Sequence, residues 1–198
     1  MVNQETIDLI KSFEQFKAKT YVDPVGVLTI GYGTTAMAGI GVVPKMGMVI
    51  SKADAERYLA LTIEKFGNEI KRGIKAPINE NEFGAFVSLA YNIGPPNFLG
   101  STALRKFNAG DKSGSANAIL FWNKGTIKGK KVVLNGLVRR RGDERALFLK
   151  PVGAAADPIE TTPKNDDAVL TTEVGKEVGS VFDQVIAAIK AIFAWLAR

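Results

Sequence analysis

The stretch LIKSFEQFKAKTYVDPVGVLTIGYGTT, residues 9–35, decides the fold, because it passes from a helical pattern directly into a strand pattern. Ile7, Ile10 and Phe13 recur at helical spacing and predict an amphipathic helix over residues 3–19. β-Favouring residues then flank the run DPVG, which is a turn signal between two short strands. The sequence therefore predicts a helix that leads straight into a β-hairpin.

Helical patterns occupy most of the chain that follows. Residues 51–70 begin with the capping run SKAD and continue as an amphipathic helix. Residues 79–92 place apolar side chains on one face, which predicts a buried helix that Gly94-Pro95-Pro96 must stop. We further expect short helices within residues 101–110, 115–125 and 137–150, and a basic loop over residues 128–136. The predicted fold is α+β, with a small N-terminal β-hairpin lobe and a larger helical lobe.

The composition changes near residue 150. Residues 1–150 hold 22 basic and 13 acidic residues, a net charge of +9, whereas the rest hold 4 and 7, a net charge of −3. Residues 151–170 are rich in Pro, Ala, Thr and Asp and are expected to form a linker. In residues 171–198 apolar side chains step by three or four positions, which predicts an appended amphipathic helix. Asp183 and Lys190 interrupt its stripe, so it falls short of the roughly 20 apolar residues of a membrane span.

The chain contains neither cysteine nor histidine. Their absence excludes disulfides, thiolate metal sites, the usual zinc sites and the Ser-His-Asp and Cys-His nucleophile systems. Carboxylates remain as the natural proton-transfer groups, and we expect neither a metal nor a cofactor. The basic front domain suits a polyanion, whether nucleic acid, an anionic membrane or an anionic cell wall.

Three polar residues in the deciding stretch can face one cleft. Glu14 falls on or beside the apolar stripe of the first helix, where a charge is costly unless it is paired or needed. Asp23 lies in the turn nine residues later, and Thr29 lies in the strand six residues further on. Taken singly, they have ordinary explanations as a solvated helix glutamate, a turn aspartate and a strand hydroxyl. Together they can line a cleft between the helix and the hairpin.

This stretch resembles the active-site segment of the phage-type lysozymes, the family 24 glycoside hydrolases that include many phage endolysins. The runs AFVSLAYNIG, STALRKFNAGD, FWNKG and NGLVRRRGDERALF resemble the helical lobe of that family in the same order. The resemblance covers about residues 4–150, so residues 1–150 are expected to form a lysozyme-like catalytic domain.

By that resemblance, Glu14 would be the general acid, and Asp23 with Thr29 would hold and polarise the attacking water. This division suits an enzyme working near neutral pH, because an apolar site retains the proton of one carboxyl while a polar site keeps the other ionised. The family implies hydrolysis of the β-1,4 bond between N-acetylmuramic acid and N-acetylglucosamine in bacterial peptidoglycan. The implied outcome is inverting, and the implied purpose is lysis of the host cell.

Other residues are candidates for contacts with the sugar chain. Tyr32 and Gly33 lie just beyond the predicted strand, where backbone could line the cleft and glycine permits close approach of a sugar. Asn92 could be either a helix cap or a sugar-contacting amide. The family often has Gly-His-Thr where this chain has Gly33-Thr34-Thr35. Thr34 cannot form the ion pair that a histidine could, which puts in doubt the local support of the hairpin.

The basic run at residues 139–141 has two interpretations. Arg139, Arg140 and Arg141 could form a solvated helix face. Alternatively, the resemblance implies that one arginine reaches the catalytic acid and that its neighbours bind carboxylates of the peptide stems. A guanidinium suits a carboxylate because its planar fork can bind both oxygens.

Two other functions compete with hydrolysis. A lytic transglycosylase cleaves the same bond but needs only the acid, so the presence of Asp23 and Thr29 argues against it. A non-catalytic cell-wall binding protein would have no use for the three site residues. The partner is expected to be peptidoglycan rather than nucleic acid.

The tail has three candidate roles. Residues 171–198 could pack back on the domain, insert at an anionic lipid surface or mediate self-association, although we expect a monomer. Residues 1–10 lack a basic segment followed by an apolar core, so no cleavable signal peptide is expected. The resemblance implies storage in the host cytoplasm until a membrane lesion admits the enzyme to the cell wall in the periplasm.

Overall fold

A computed structural model describes residues 2–23, 26–127 and 130–153. The predicted linker, residues 151–170, lies almost entirely outside these ranges, and the predicted tail helix, residues 171–198, lies wholly outside them. The described elements follow in the order α1 (Gln4–Phe13), β1 (Lys17–Val22), β2 (Leu28–Gly31), a 3₁₀ turn (Ala36–Ala38), α2 (Lys52–Lys71), α3 (Glu80–Ile93), α4 (Pro95–Leu99), α5 (Thr102–Asn108), α6 (Lys112–Ile119), β3 (Lys124–Ile127), β4 (Lys130–Val133) and α7 (Asn135–Leu149).

The first helix is shorter than its periodicity predicts. The Asn3 side chain accepts a hydrogen bond from the backbone N–H of Thr6 and so begins α1. The helix ends at Phe13, and Glu14 is its C-terminal cap with extended backbone, whereas the sequence predicted a helix as far as residue 19. From Lys17 onward the chain is β1 instead, because pairing with β2 outweighs the weak local helical preference.

The small lobe is built on the predicted hairpin. β1 and β2 are antiparallel, with Tyr21 opposite Thr29, and the register is irregular between Lys17 and Tyr21. A third extended segment joins β1, since the Thr20 N–H donates to the carbonyl of Met48 at 2.9 Å. The β2 strand is buried from its second residue onward, which places this lobe directly against α2.

The helical lobe is organised around α3. A capping box at Asn79 and Glu82 begins this helix, and its residues are apolar on nearly all sides, as expected for a helix at the centre of a core. The ring of Phe86 lies 4.8 Å from that of Phe98 and 5.2 Å from those of Phe107 and Phe148, measured between centroids. Four helices therefore meet around a single aromatic cluster.

Two local predictions need correction. Residues 115–125 were expected to be helical and 128–136 to be a loop, but α6 ends at Ile119 and residues 124–133 contain the antiparallel pair β3–β4. The β-branched residues of TIKGKKVV favour this hairpin over a helix.

The predicted stop after α3 is confirmed, yet Pro95 also begins α4, because proline is tolerated in a first helical turn. The α+β fold with a small hairpin lobe and a larger helical lobe is confirmed.

Candidate active site

Glu14 lies where the two lobes meet. As the cap residue of α1 it is placed between the helical lobe and β1, and only 8% of its surface is exposed. Its Oε1 accepts a hydrogen bond from Nη1 of Arg140 at 2.8 Å. The predicted acid is thus a buried carboxylate with a strong positive partner, and not a solvated helix glutamate.

Arg140 reaches Glu14 from α7. Its Nε donates to Oε1 of Glu144 at 3.2 Å, and its Nη2 donates to the carbonyl of Ser88 at 3.4 Å. Its guanidinium also lies 5.4 Å from the centre of the Phe13 ring. Burial alone lowers the pKa of Arg140, but the carboxylates of Glu14 and Glu144 outweigh burial and raise it above its usual value. Arg140 therefore stays positively charged although it is buried.

Of the other two arginines in residues 139–141, one is buried in the core and the other is exposed. Arg141 is fully buried, and its Nε forms an ion pair with Oε2 of Glu144 at 2.9 Å. Burial lowers the pKa of Arg141 to about 10, since Glu144 offsets burial only in part. Arg139 is exposed and lies over the Phe13 ring at 5.6 Å. The solvated-face interpretation therefore fits only Arg139.

Asp23 and Thr29 are brought together at the end of the hairpin. Asp23 is buried, and its Oδ1 accepts a hydrogen bond from the backbone N–H of Val27 at 2.8 Å. Thr29 is also buried, and its hydroxyl donates to the carbonyl of Val27 at 3.2 Å. Both side chains thus attach to the same residue, and the turn holds a carboxylate and a hydroxyl on one short piece of backbone.

Tyr32 and Gly33 lie in the tight turn that follows β2. The Tyr32 side chain is buried, and its carbonyl accepts a hydrogen bond from the Tyr91 hydroxyl at 2.7 Å. Gly33 has a φ of +85°, a conformation that L side chains rarely adopt. The Tyr91 contact ties the hairpin lobe to α3, so it helps to fix the width of the space between the lobes.

Asn92 contacts a buried arginine of α7, and Thr34 lies in the tight turn after β2. The Oδ1 of Asn92 accepts a hydrogen bond from Nη2 of Arg141 at 3.0 Å, so it is not the cap of α3, which is Gly94. Thr34 closes a tight turn through two backbone hydrogen bonds with Ile30, each 2.9 Å long. Its buried hydroxyl has no hydrogen-bond partner among the described residues.

Glu144 and Ser88 are site residues that the sequence reasoning missed. Glu144 is fully buried and accepts a hydrogen bond from the Ser88 hydroxyl at 2.8 Å. The spacing of Glu144 from Arg140 and Arg141, four and three positions, is a recognisable signal for ion pairs on one helix face. Ser88 lies inside a run of apolar residues and offered no comparable signal.

No group of three or more acidic residues that could hold a metal ion occurs in the described ranges. A concave region of about 600 Å³ lies between Gly39–Ile40 and the exposed side of α2, where Lys65 and Arg72 contribute to its wall. None of the predicted site residues lines it.

The known proteins that this chain resembles in sequence and structure include phage endolysins and a muramidase domain. The sequence model of the family described as Phage lysozyme matches residues 11–144. The endolysin of Acyrthosiphon pisum secondary endosymbiont phage 1 is 36% identical over 147 residues, covering 74% of this chain and 97% of that protein. The structure of the endolysin from Escherichia coli O157:H7 phage FAHEc1 has a TM-score of 0.69 at 42% identity, covering 76% of this chain and 94% of that one. The muramidase domain of SpmX from Asticaccaulis excentricus has a TM-score of 0.70 at 31% identity, with coverages of 76% and 99%.

Proposed function

The chain belongs to the phage lysozyme family, and from this premise we propose that it hydrolyses the β-1,4 bond between N-acetylmuramic acid and N-acetylglucosamine in peptidoglycan. It is a glycoside hydrolase of the muramidase type, with the endolysin function of degrading the cell wall in host lysis. The observation that carries the proposal is the buried Glu14 carboxyl, paired with Arg140 at the junction of the two lobes.

Glu14 is the proposed general acid. It would donate its proton to the glycosidic oxygen as the bond to the leaving sugar breaks. The carboxylate left behind is then stabilised by Arg140, whose Nη1 already lies 2.8 Å from Oε1. A partner fixed in advance in this way stabilises the charge that develops during proton transfer without having to reorganise.

Asp23 and Thr29 are the proposed water-binding pair. An ionised Asp23 would remove a proton from the water and stabilise the oxocarbenium-like transition state, while the Thr29 hydroxyl would orient the water. Their common attachment to Val27 supports this assignment, because it fixes both groups relative to each other. Attack by water on the face opposite the leaving group gives inversion at the anomeric carbon.

We propose fewer substrate-binding residues than the sequence suggested. Gly33 and the backbone at Tyr32 are proposed to line the cleft, and the exposed Arg139 is free to bind a carboxylate of a peptide stem. Arg140 and Asn92 are held by Glu14 and Arg141, so we propose that they support the site instead of touching the sugar.

The deciding experiment compares purified peptidoglycan treated with the parent protein, Glu14→Gln and the matched control Glu64→Gln, an exposed glutamate on α2. Mass spectrometry of the released muropeptides should show reducing N-acetylmuramic acid ends for the parent and the control. Glu14→Gln should release about 10²- to 10⁴-fold less product, the usual contribution of a general acid. Anhydro-muramyl ends would indicate a transglycosylase, and equal wall clearance by Glu14→Gln would indicate a non-catalytic binding protein.

For the tail we propose contact with a membrane surface. Residues 171–198 carry three acidic and three basic residues, so their apolar stripe would drive binding more than their charge. No helix in the described part of the chain is long and apolar enough to cross a membrane. A monomeric enzyme stored in the host cytoplasm would meet the membrane before reaching the periplasmic face of the cell wall.

Deletion of residues 171–198 tests this second proposal. The truncated protein should digest purified peptidoglycan at the parent rate but bind vesicles of anionic phospholipid less and lyse intact Gram-negative cells less. Full activity on intact cells together with unchanged vesicle binding would contradict a membrane role.

A further inference from the structure

Glu144 is the buried residue that joins both core arginines to α3. Its Oε1 accepts hydrogen bonds from Nε of Arg140 at 3.2 Å, from Nη2 of Arg141 at 3.0 Å and from the Ser88 hydroxyl at 2.8 Å. Its Oε2 lies 2.9 Å from Nε of Arg141. A carboxylate with so many donors is held in one position, and it holds the guanidinium groups in turn.

The charges of this cluster balance. Glu14 and Glu144 contribute two negative charges, Arg140 and Arg141 contribute two positive charges, and none of the four is more than 8% exposed. Interactions between charges are strong where water is excluded, so a change at one member is felt by the others. Arg140 lies between the two carboxylates and divides its positive charge between them.

This division matters for a general acid. An arginine that faced Glu14 alone would act on this carboxyl group with its whole positive charge. An arginine too weakly held would not stabilise the carboxylate after the proton has been transferred. Other groups that face Glu14 are the charge of Arg141 on α7 and the Tyr91 hydroxyl on α3, both of which interact with it electrostatically.

We propose that Glu144 is a positioning residue for the reaction: it fixes the Arg140 guanidinium against Glu14 and takes up part of its charge, which sets the balance between retaining and donating the Glu14 proton. This inference rests on the proposed function, because it requires Glu14 to act as the acid. Glu144 itself acts only through Arg140 and touches no reacting atom.

The experiment measures kcat, KM and the pH dependence of kcat for Glu144→Gln on labelled, soluble peptidoglycan fragments. Glutamine keeps the shape of the side chain but removes its charge, so the positive charge of Arg140 acts on Glu14 undivided. We expect kcat to fall about tenfold or more with little change in KM. We also expect the alkaline limb of the profile, which reports loss of the acid's proton, to move about half a pH unit or more to lower pH.

The matched control is Glu82→Gln. Glu82 is also a buried carboxylate in an ion pair, with Lys112 at 2.7 Å, but it belongs to the start of α3 and touches neither arginine of the cluster. Its loss should lower stability and leave the pH profile unchanged.

If Glu144→Gln does not fold, Glu144→Asp is the second variant, because it keeps the negative charge and shortens the side chain. It should lower kcat while leaving the alkaline limb in place, and an unchanged kcat would contradict positioning.

The outcomes separate this inference from the proposed function. A parent-like profile and kcat for Glu144→Gln, alongside an inactive Glu14→Gln, would overturn the role of Glu144 alone. Activity retained by Glu14→Gln would overturn the proposed function itself. For Glu144→Gln, a fall in kcat without a shift of the alkaline limb would refute the charge-sharing part of the inference.

Discussion

Arg140 and Glu14 lie 126 positions apart in the chain, yet their side chains meet at 2.8 Å. The contact joins α7, the last described helix, to the cap residue of α1, the first helix. Because Arg140 is fixed by Glu144 and Ser88, the position of Glu14 depends on α3 and α7 as much as on its own helix. The geometry of the proposed acid therefore depends on the packing of the helical lobe as well as on α1.

Replacing Arg140 tests how much this contact contributes. Arg140→Ala should lower the free energy of unfolding by about 3–5 kcal/mol, because it leaves two buried carboxylates without their shared partner. The control is Arg139→Ala, the exposed neighbour over Phe13, which should cost no more than about 1 kcal/mol. Urea denaturation followed by circular dichroism gives both values. Equal losses for the two variants would contradict a structural role for the buried arginine.

A close approach of α1 and α3 gives a second prediction. A Cβ added at Gly84 would collide with the Thr6 side chain, so Gly84→Ala should destabilise the protein by about 1–3 kcal/mol. Gly142→Ala is the matched control in α7, where nothing lies within 4 Å of the new methyl group. There the change should stabilise by about 0.5–1 kcal/mol through helix propensity.

A double-mutant cycle tests the cause of the Gly84→Ala loss. In a Thr6→Ala background the substitution should cost clearly less, because the colliding hydroxyl has been removed. Additive effects of the two changes in thermal unfolding would show that the Thr6 contact is not responsible.

The sequence proposed Glu14, Asp23 and Thr29 as chemical residues, which stays a prediction, but it did not reveal that Glu144 and Ser88 support Arg140. Glu14, Asp23 and Thr29 are close in sequence, so local periodicity and a turn signal were enough to group them. The pairing of Glu14 with Arg140 depends on how α7 packs, which no local pattern specifies. Glu144 gave a signal through its helical spacing, but that spacing does not reveal whether a helix face is buried or solvated.

The differences in secondary structure have a similar origin. Periodicity carried the first predicted helix past Phe13, whereas the chain leaves the helix there because Lys17 pairs across to Gly31. The β3–β4 hairpin begins inside the predicted helix of residues 115–125 and ends inside the predicted loop of residues 128–136, where several lysines indicate solvation more strongly than the β-branched residues indicate a strand. In the first case pairing between strands overrode the local helical preference, whereas in the second the strand preference of the β-branched residues agrees with the structure.

The Tyr91 hydroxyl gives a prediction at alkaline pH. Burial, together with the nearby Glu14 carboxylate, raises the pKa of Tyr91 above its usual value of 10.0 in the folded protein. Above pH 10 the unfolded chain therefore releases a proton that the folded protein retains, so stability must fall as the pH rises. Tyr91→Phe removes this contribution, and its free energy of unfolding should decline less steeply, by up to about 1.4 kcal/mol per pH unit. Parallel slopes for parent and variant between pH 9 and 11 (roughly the range of an ordinary tyrosine) would contradict the assignment.

Substitutions of Asp23 can distinguish a structural role in the turn from a catalytic role. Asp23→Asn keeps an oxygen that can accept the hydrogen bond from Val27, so the turn and the stability should change by less than about 0.5 kcal/mol. The negative charge is lost, however, and hydrolysis should fall about 10²-fold or more if that charge activates the water. Asp23→Ala should lose both the activity and about 1 kcal/mol of stability, since the backbone N–H of Val27 loses its partner. If Asp23→Asn keeps parent activity while Asp23→Ala loses it, the carboxylate serves the turn alone and the water must be activated by another group.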